Sequence, residues 1–116
     1  MRLFVLEPGK YLHEISKSNV IHLLVSWLSR NAAGKVLSCS MFELNEVNSL
    51  MPDVSVLFSG PILTGCKGLL QGAPGLAIEV VSSDKASDLE DKIELYLAHG
   101  SKSVWVVYPK RRVVCV

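Results

Sequence analysis

Hydrophobic residues follow a helical spacing in two parts of the chain. In residues 12–31 the apolar side chains Val20, Leu24, Trp27 and Leu28 recur every three or four positions, which predicts a long first helix. In residues 87–99 a second apolar stripe consists of Leu89, Ile93, Tyr96 and Leu97. The stripe predicts a shorter helix that packs on a sheet.

Strand-like segments rich in apolar residues precede and follow the second helix. They cover residues 35–39, 42–47, 54–58, 76–81, 104–107 and 113–116. The run at 76–81 is almost entirely apolar, as expected for a central strand that is covered on both faces. The order strand, helix, strand over residues 76–107 predicts a parallel crossover in a mixed sheet. Residues 59–74 contain four glycines and two prolines and are predicted to form an exposed loop.

Composition fits one globular domain over residues 1–116 and excludes several classes of protein. The chain is 49% hydrophobic and 20% charged, so it is not a disordered polar chain. Three separated cysteines give neither a disulfide framework nor a zinc motif, and no apolar run approaches the roughly 20 residues that span a bilayer. We therefore expect a cytoplasmic protein without a membrane segment. The net charge of +1 means that any affinity for nucleic acid has to come from a local site.

Glu79 is the unusual residue of the central strand. A carboxylate within an apolar strand is costly unless it is paired or binds a metal ion. Asp53 begins the preceding strand, and if the two strands are neighbours, both carboxylates approach one point. Two hard oxygen donors with water suit magnesium. A charge pair of Glu79 with an arginine such as Arg30 is the alternative, and Asp53 after Pro52 is also typical of an ordinary turn.

Lys92 is the candidate cation for such a site. It lies on the second helix, and its long stem could reach towards the carboxylates. A cation there would stabilise charge that develops on a phosphate. The alternative is a surface pair with Asp88, four residues earlier in the helix. The basic turn at residues 110–112 could contact a phosphate backbone or could serve only as a soluble hairpin turn.

Five segments, in this order, resemble the Uma-type family of restriction-endonuclease-like proteins in the PD-(D/E)xK nuclease superfamily. They are residues 52–56, 72–74, 76–82, 87–92 with Tyr96 and Gly100, and 104–107 with Pro109. His13 and the apolar run to Leu28 resemble the family's opening helix. The resemblance implies an α/β fold, a restriction-endonuclease-like mixed β-sheet flanked by helices. It also implies a nuclease that uses Mg (or Mn), has DNA as its partner and forms a homodimer.

The resemblance further assigns roles to individual residues. Asp53 and Glu79 correspond to the metal-binding acids, and Lys92 to the catalytic lysine, which this branch carries on the helix after the glutamate strand. The superfamily's usual lysine position, two residues after the glutamate, is Val81 here. His13 and Glu14 are additional candidates from the first helix.

The sequence also departs from the family pattern at several positions. Gly75 and Tyr108 stand where relatives carry aspartate, and Ser82-Ser83 is one residue shorter than the family's Ser-Pro-Ser stretch. The pattern also continues beyond the last residue here, so the domain is expected to lack the family's C-terminal end. Two further hypotheses therefore stay open, namely a catalytically inactive binding or interaction module with the nuclease fold, and a structural homo-oligomer that pairs through residues 113–116.

Overall fold

A computed structural model describes residues 8–31, 34–58, 69–81 and 86–116 of the chain. The helices and strands are α1 (Pro8–Asn31), β1 (Lys35–Ser38), β2 (Phe42–Glu43), β3 (Ser49–Leu50), β4 (Val54–Leu57), β5 (Leu70–Gln71), β6 (Leu76–Val80), α2 (Ala86–Ala98), β7 (Ser103–Tyr108) and β8 (Val113–Cys115).

The main sheet of the described part has five strands in the order β1-β4-β6-β7-β8. β6 and β7 run parallel, whereas the pairs β1–β4, β4–β6 and β7–β8 are antiparallel. The predicted parallel crossover through α2 is therefore confirmed. A small second sheet has the order β3-β2-β5. The fold is the mixed α/β architecture that the sequence predicts.

The two helices cover opposite faces of the main sheet. Val20, Leu24 and Leu28 of α1 pack on the face that carries Val54 and Ile78. Tyr96 and Ile93 of α2 pack on the other face, against Ala77 and Val104. Side chains alternate along a strand, so the apolar run of β6 supplies both cores and needs no polar face. Trp27 and Leu97 were grouped with the buried stripes but are about half exposed, at 48% and 49%.

The strand predicted over residues 42–47 is wrong in its extent. β2 ends at Glu43, because Asn45 Oδ1 accepts hydrogen bonds from the backbone N–H groups of Val47 at 2.9 Å and Asn48 at 2.8 Å. An asparagine that binds the backbone ahead of it forms a turn rather than a strand. The turn leads into β3, which the sequence pattern did not reveal.

The loop predicted over residues 59–74 lies mostly outside the described residues, at positions 59–68. Its last part is more ordered than predicted, because Leu70 and Gln71 pair in parallel with Phe42 and Glu43. No helix of the described part is both long and apolar enough to cross a membrane.

Gly75 lies close to the ring of Phe58. A Cβ atom on Gly75 would lie 2.5 Å from Cδ2 of the Phe58 ring. Phe58 is 37% exposed and its ring can shift, so we expect Gly75→Ala to lower the free energy of unfolding by about 1 kcal/mol, the lower end of the cost of overpacking. The same change in a Phe58→Ala background should cost much less. Urea unfolding of the four proteins measures the coupling, and an equal cost in both backgrounds would contradict this account.

Candidate active site

The pairing of β4 with β6 brings the two candidate acids to one end of the main sheet. Val54 is opposite Ile78, so Asp53, just before β4, lies beside the end of β6. Asp53 Oδ2 accepts a hydrogen bond from the backbone N–H of Val80 at 2.7 Å. We call this the carboxylate end of the sheet, defined by Asp53, Glu79 and Val80.

Glu79 is buried, with 4% of its surface exposed. It shares a sheet face with Ala77 and is directed towards α2, where the Tyr96 hydroxyl donates a hydrogen bond of 2.9 Å to Glu79 Oε1. Tyr96 itself is fully buried. The second helix therefore contributes a hydroxyl donor to the carboxylate, a role that the sequence pattern, which assigned Tyr96 to the apolar stripe, did not reveal.

The hydroxyl of Tyr96 is held in its protonated form. Burial raises the pKa of Tyr96 far above its usual value of 10.0, and the negative charges of Glu79 and Asp53 add to the effect. A phenol that cannot ionise remains a hydrogen-bond donor to the carboxylate throughout the physiological pH range. Because the charges of both carboxylates favour the protonated hydroxyl, Tyr96 remains a hydrogen-bond donor next to the acid pair.

Tyr96→Phe tests this contact. The variant loses a hydrogen bond to a charged, buried group, so we expect its free energy of unfolding at pH 7 to fall by about 1.5–3 kcal/mol. A raised folded-state pKa contributes stability that is complete below the unfolded pKa of about 10 and is lost as the pH rises further. The parent should therefore lose stability above about pH 10 more steeply than Tyr96→Phe. Urea midpoints between pH 7 and 11 measure both effects, and parallel curves would contradict the assignment.

Helix α1 reaches the carboxylate end with its N-terminal half. His13 Nε2 lies 3.3 Å from Asp53 Oδ1, and His13 Nδ1 lies 3.4 Å from Glu14 Oε1. The side chains of His13 and Asp53 are 19% and 21% exposed, so this corner is open to solvent on one side. Glu14, at 65% exposure, is on the outside of the helix and meets Asp53 only through His13.

Lys17 lies near this corner of the molecule, and the sequence analysis did not single it out. It is only 8% exposed, one helical turn after His13, and its Nζ lies 2.6 Å from Cys39 Sγ. The hydrogen bond with Cys39 raises the pKa of Lys17 against the opposing effect of burial, and the charges of Cys39, Glu14 and Asp53 raise it further. The spacing of four residues from His13 was the signal that could have placed Lys17 on the same helix face.

Lys92 lies on the same face of α2 as Tyr96, one turn closer to the start of the helix. α2 begins after the carboxylate end of β6, and long helical side chains lean towards the helix N-terminus, so the Lys92 stem is expected to lean towards that end of the sheet. In the part of the chain that the structure describes, no ion pair within 4.0 Å joins Lys92 to Asp53, Glu79 or Asp88. The alternative, a surface pair of Lys92 with Asp88, is not found among these residues.

The oxygen donors at the carboxylate end suit a magnesium ion. Magnesium keeps several waters and binds through one or two carboxylates, which Asp53 and Glu79 can supply. Ser55 Oγ, on the same sheet face as Glu79, is buried and has no hydrogen-bond partner among the described residues. A buried hydroxyl next to the two acids can form a hydrogen bond with a water molecule that a magnesium ion retains. Within those residues, no group of three or more His, Cys, Asp or Glu side chains is arranged to hold a metal ion.

The mixed sheet flanked by two helices defines the class, a restriction-endonuclease-like fold. The chain belongs to the Uma2 family, described as "Putative restriction endonuclease", whose profile matches residues 2–116.

A solved structure supports the fold. It is the crystal structure of a protein from Anabaena variabilis ATCC 29413, described as "a putative nuclease belonging to DUF820". The TM-score is 0.68 at 16% sequence identity, with 99% of this chain and 70% of that chain covered. No curated protein matches the sequence.

Proposed function

We propose that the protein is a metal-dependent nuclease that hydrolyses phosphodiester bonds in DNA, with Mg or Mn as its cofactor. The observation that carries the proposal is the burial of Glu79 in an apolar strand, 4% exposed, at the same end of the sheet as Asp53. A buried carboxylate has to be compensated, and metal coordination next to a second acid is one way to compensate it.

Asp53 and Glu79 are the proposed metal ligands. The bound ion would polarise a phosphoryl oxygen. It would also lower the pKa of a water molecule, so that this water can act as the nucleophile near neutral pH. The protein's own groups hold the acids in place: the Val80 N–H and His13 orient Asp53, and the Tyr96 hydroxyl orients Glu79. Such outer hydrogen bonds fix ligand geometry and usually change affinity by about 10–100-fold when they are removed.

Lys92 is the proposed catalytic cation. Its amine would contact the phosphate and stabilise the negative charge that develops there. Lys92 shares a helix face with Tyr96, which donates a hydrogen bond to Glu79, and this shared face supports the assignment. Glu14, more exposed than the two acids, is proposed only as an additional acid at the entrance to the site.

Two measurements on the parent protein test the proposal. Calorimetric titration with MgCl2 or MnCl2 should show binding of a divalent ion, and supercoiled plasmid DNA should be nicked only when one of these ions is present. A single-stranded RNA serves as the comparison substrate. Metal binding without cleavage of either nucleic acid would favour the inactive module of the same fold, and no metal binding would exclude the nuclease.

A homo-oligomer is the second candidate, and one observation favours it. β8 forms the last strand of the main sheet, and its Val113 and Val114 are 45% and 53% exposed. An apolar edge strand is a template for pairing with another chain. Pairing of two copies would also give the homodimer in which two sites address two DNA strands. Light scattering on the parent and on Val114→Lys measures this, with a dimer that the variant converts to a monomer as the expected result.

A further inference from the structure

The turn between β7 and β8 lies at the carboxylate end of the sheet. Val80 pairs with Val107 in the parallel ladder, so Tyr108 and the turn that follows it extend past the same end as Val80 and Asp53. Only β6 separates β4 from β7, which is two strand spacings or about 10 Å. One strand of a duplex advances about 3.4 Å per nucleotide, so this span corresponds to about three nucleotides.

The turn carries three consecutive cations, Lys110, Arg111 and Arg112, and all three are exposed. In the described part of the chain no carboxylate lies within 4.0 Å of them. The Arg111 guanidinium lies 5.8 Å from the centre of the Tyr108 ring. The N–H of Arg112 closes the turn on Pro109 O at 3.2 Å, and Arg112 has a left-handed φ of 55°. An ordered turn thus presents charges that no ion pair in the described residues uses.

A groove separates this turn from the N-terminal half of α1. Ser16, Asn19 and Val20 line it from the helix, and Tyr108, Pro109 and Arg112 line it from the turn. The rest of its lining is apolar and consists of Val107, Val113 and Val114. Hydroxyl, amide and guanidinium groups are the usual partners of phosphate oxygens. The acidic side chains of α2, Asp88, Glu90, Asp91 and Glu94, belong to the helix on the opposite face of the sheet. The residues that line the groove therefore include no acid.

We propose that the turn at residues 109–112 binds the phosphodiester backbone a few nucleotides from the bond that is cleaved. The inference rests on the proposed function for its substrate but assigns a separate binding site to Lys110, Arg111 and Arg112. With a net charge of +1, the protein has no general affinity for polyanions, so these local charges provide the attraction. They position the DNA and take no part in bond cleavage.

The test variant replaces all three residues by glutamine, Lys110→Gln/Arg111→Gln/Arg112→Gln. The matched control is Arg30→Gln/Lys35→Gln/Lys102→Gln, which removes the same charge from the opposite end of the sheet. Lys35 pairs with Leu57 there, and Lys102 precedes Ser103, the partner of Leu76. Leu28, two residues before Arg30, contacts Gly34 at that end. The control therefore distinguishes the effect of where the three charges lie from the effect of the change in net charge.

Binding of a labelled DNA duplex is measured by anisotropy with Ca²⁺ between 50 and 200 mM salt. We expect the slope of log K against log salt to become shallower by about 2–3 in the test variant, since each lost phosphate contact contributes about 0.9. In the control the slope should stay unchanged. In cleavage assays the test variant should raise KM about tenfold or more while kcat stays within about twofold, because uniform binding is lost. Circular dichroism verifies folding, and Arg111→Gln alone should change the slope by about one.

An unchanged slope in the folded test variant would overturn the inference, as would an equal loss in the control. If the parent binds DNA but does not cleave it, the proposed nuclease function is wrong. The salt dependence of DNA binding would then still test whether the turn at residues 109–112 binds the phosphodiester backbone. A parent that binds no DNA at 50 mM salt would overturn both.

Discussion

Asp53→Asn and Glu79→Gln are each expected to lower magnesium-dependent nicking of plasmid DNA by a factor of about 100 or more. Removing one preorganised electrostatic group at a reacting centre commonly costs about 10²–10³ in rate. Both substitutions keep the size of the side chain and an oxygen that can accept the existing hydrogen bond from Val80 N or from the Tyr96 hydroxyl. The loss should therefore come from metal binding rather than from misfolding.

The matched controls for the acid variants are Asp91→Asn and Glu94→Gln, which make the same chemical changes at exposed positions of α2. They should cleave at the rate of the parent. Calorimetry should show that Asp53→Asn and Glu79→Gln bind Mg²⁺ at least about tenfold more weakly than the parent and the controls. Variants that are folded and retain parental cleavage would remove the acid pair from the mechanism. The buried carboxylate of Glu79 would then be a structural partner of Tyr96.

Lys92→Met is expected to lower kcat by about 100-fold, again because a positive charge at the developing phosphate charge is lost. Metal affinity should remain close to that of the parent, since Lys92 is not a proposed ligand. Lys92→Arg keeps the charge in a planar group of different shape and should restore part of the rate. The pattern of lower kcat, unchanged metal binding and partial rescue by arginine would not follow from a structural role.

Lys102→Met and Lys17→Met complete the comparison of lysines. Lys102, at the opposite end of the sheet, should have no effect on kcat. Lys17, buried beside Cys39 and in the field of Asp53, is the rival source of positive charge. If Lys17→Met is folded and inactive while Lys92→Met keeps the parental kcat, the catalytic cation comes from α1 and the assignment of Lys92 is wrong.

Local pattern predicted most of the secondary structure. α2, β6 and β7 were found within one residue of their observed limits, because each carries a periodic or continuously apolar pattern. The end of α1 was also found, but the helix begins at Pro8, four residues before the predicted start. The two-residue strands β3 and β5 were missed, since two residues are too few to show alternation. The end of β2 was wrong because a single side chain, that of Asn45, decides it.

The site was predictable only in its outline. Asp53, Glu79 and Lys92 stood out because a carboxylate in an apolar strand and a family pattern identify residue types along the chain. Their roles remain predictions. The contacts of these residues were not predictable: the Tyr96 hydroxyl on Glu79 and His13 on Asp53 join residues 17 and 40 positions apart.

By itself, the sequence determined the two helices and the longer strands, because these follow from side-chain periodicity. It also determined that one acid interrupts an apolar strand, which stands out because burying a charge is costly. Only the tertiary structure decided which groups surround that acid, that Lys17 is buried, and that the basic turn lies at the same end of the sheet as Asp53. The reason is that strand order and register bring together residues that are distant in sequence, and no local pattern encodes which strands become neighbours.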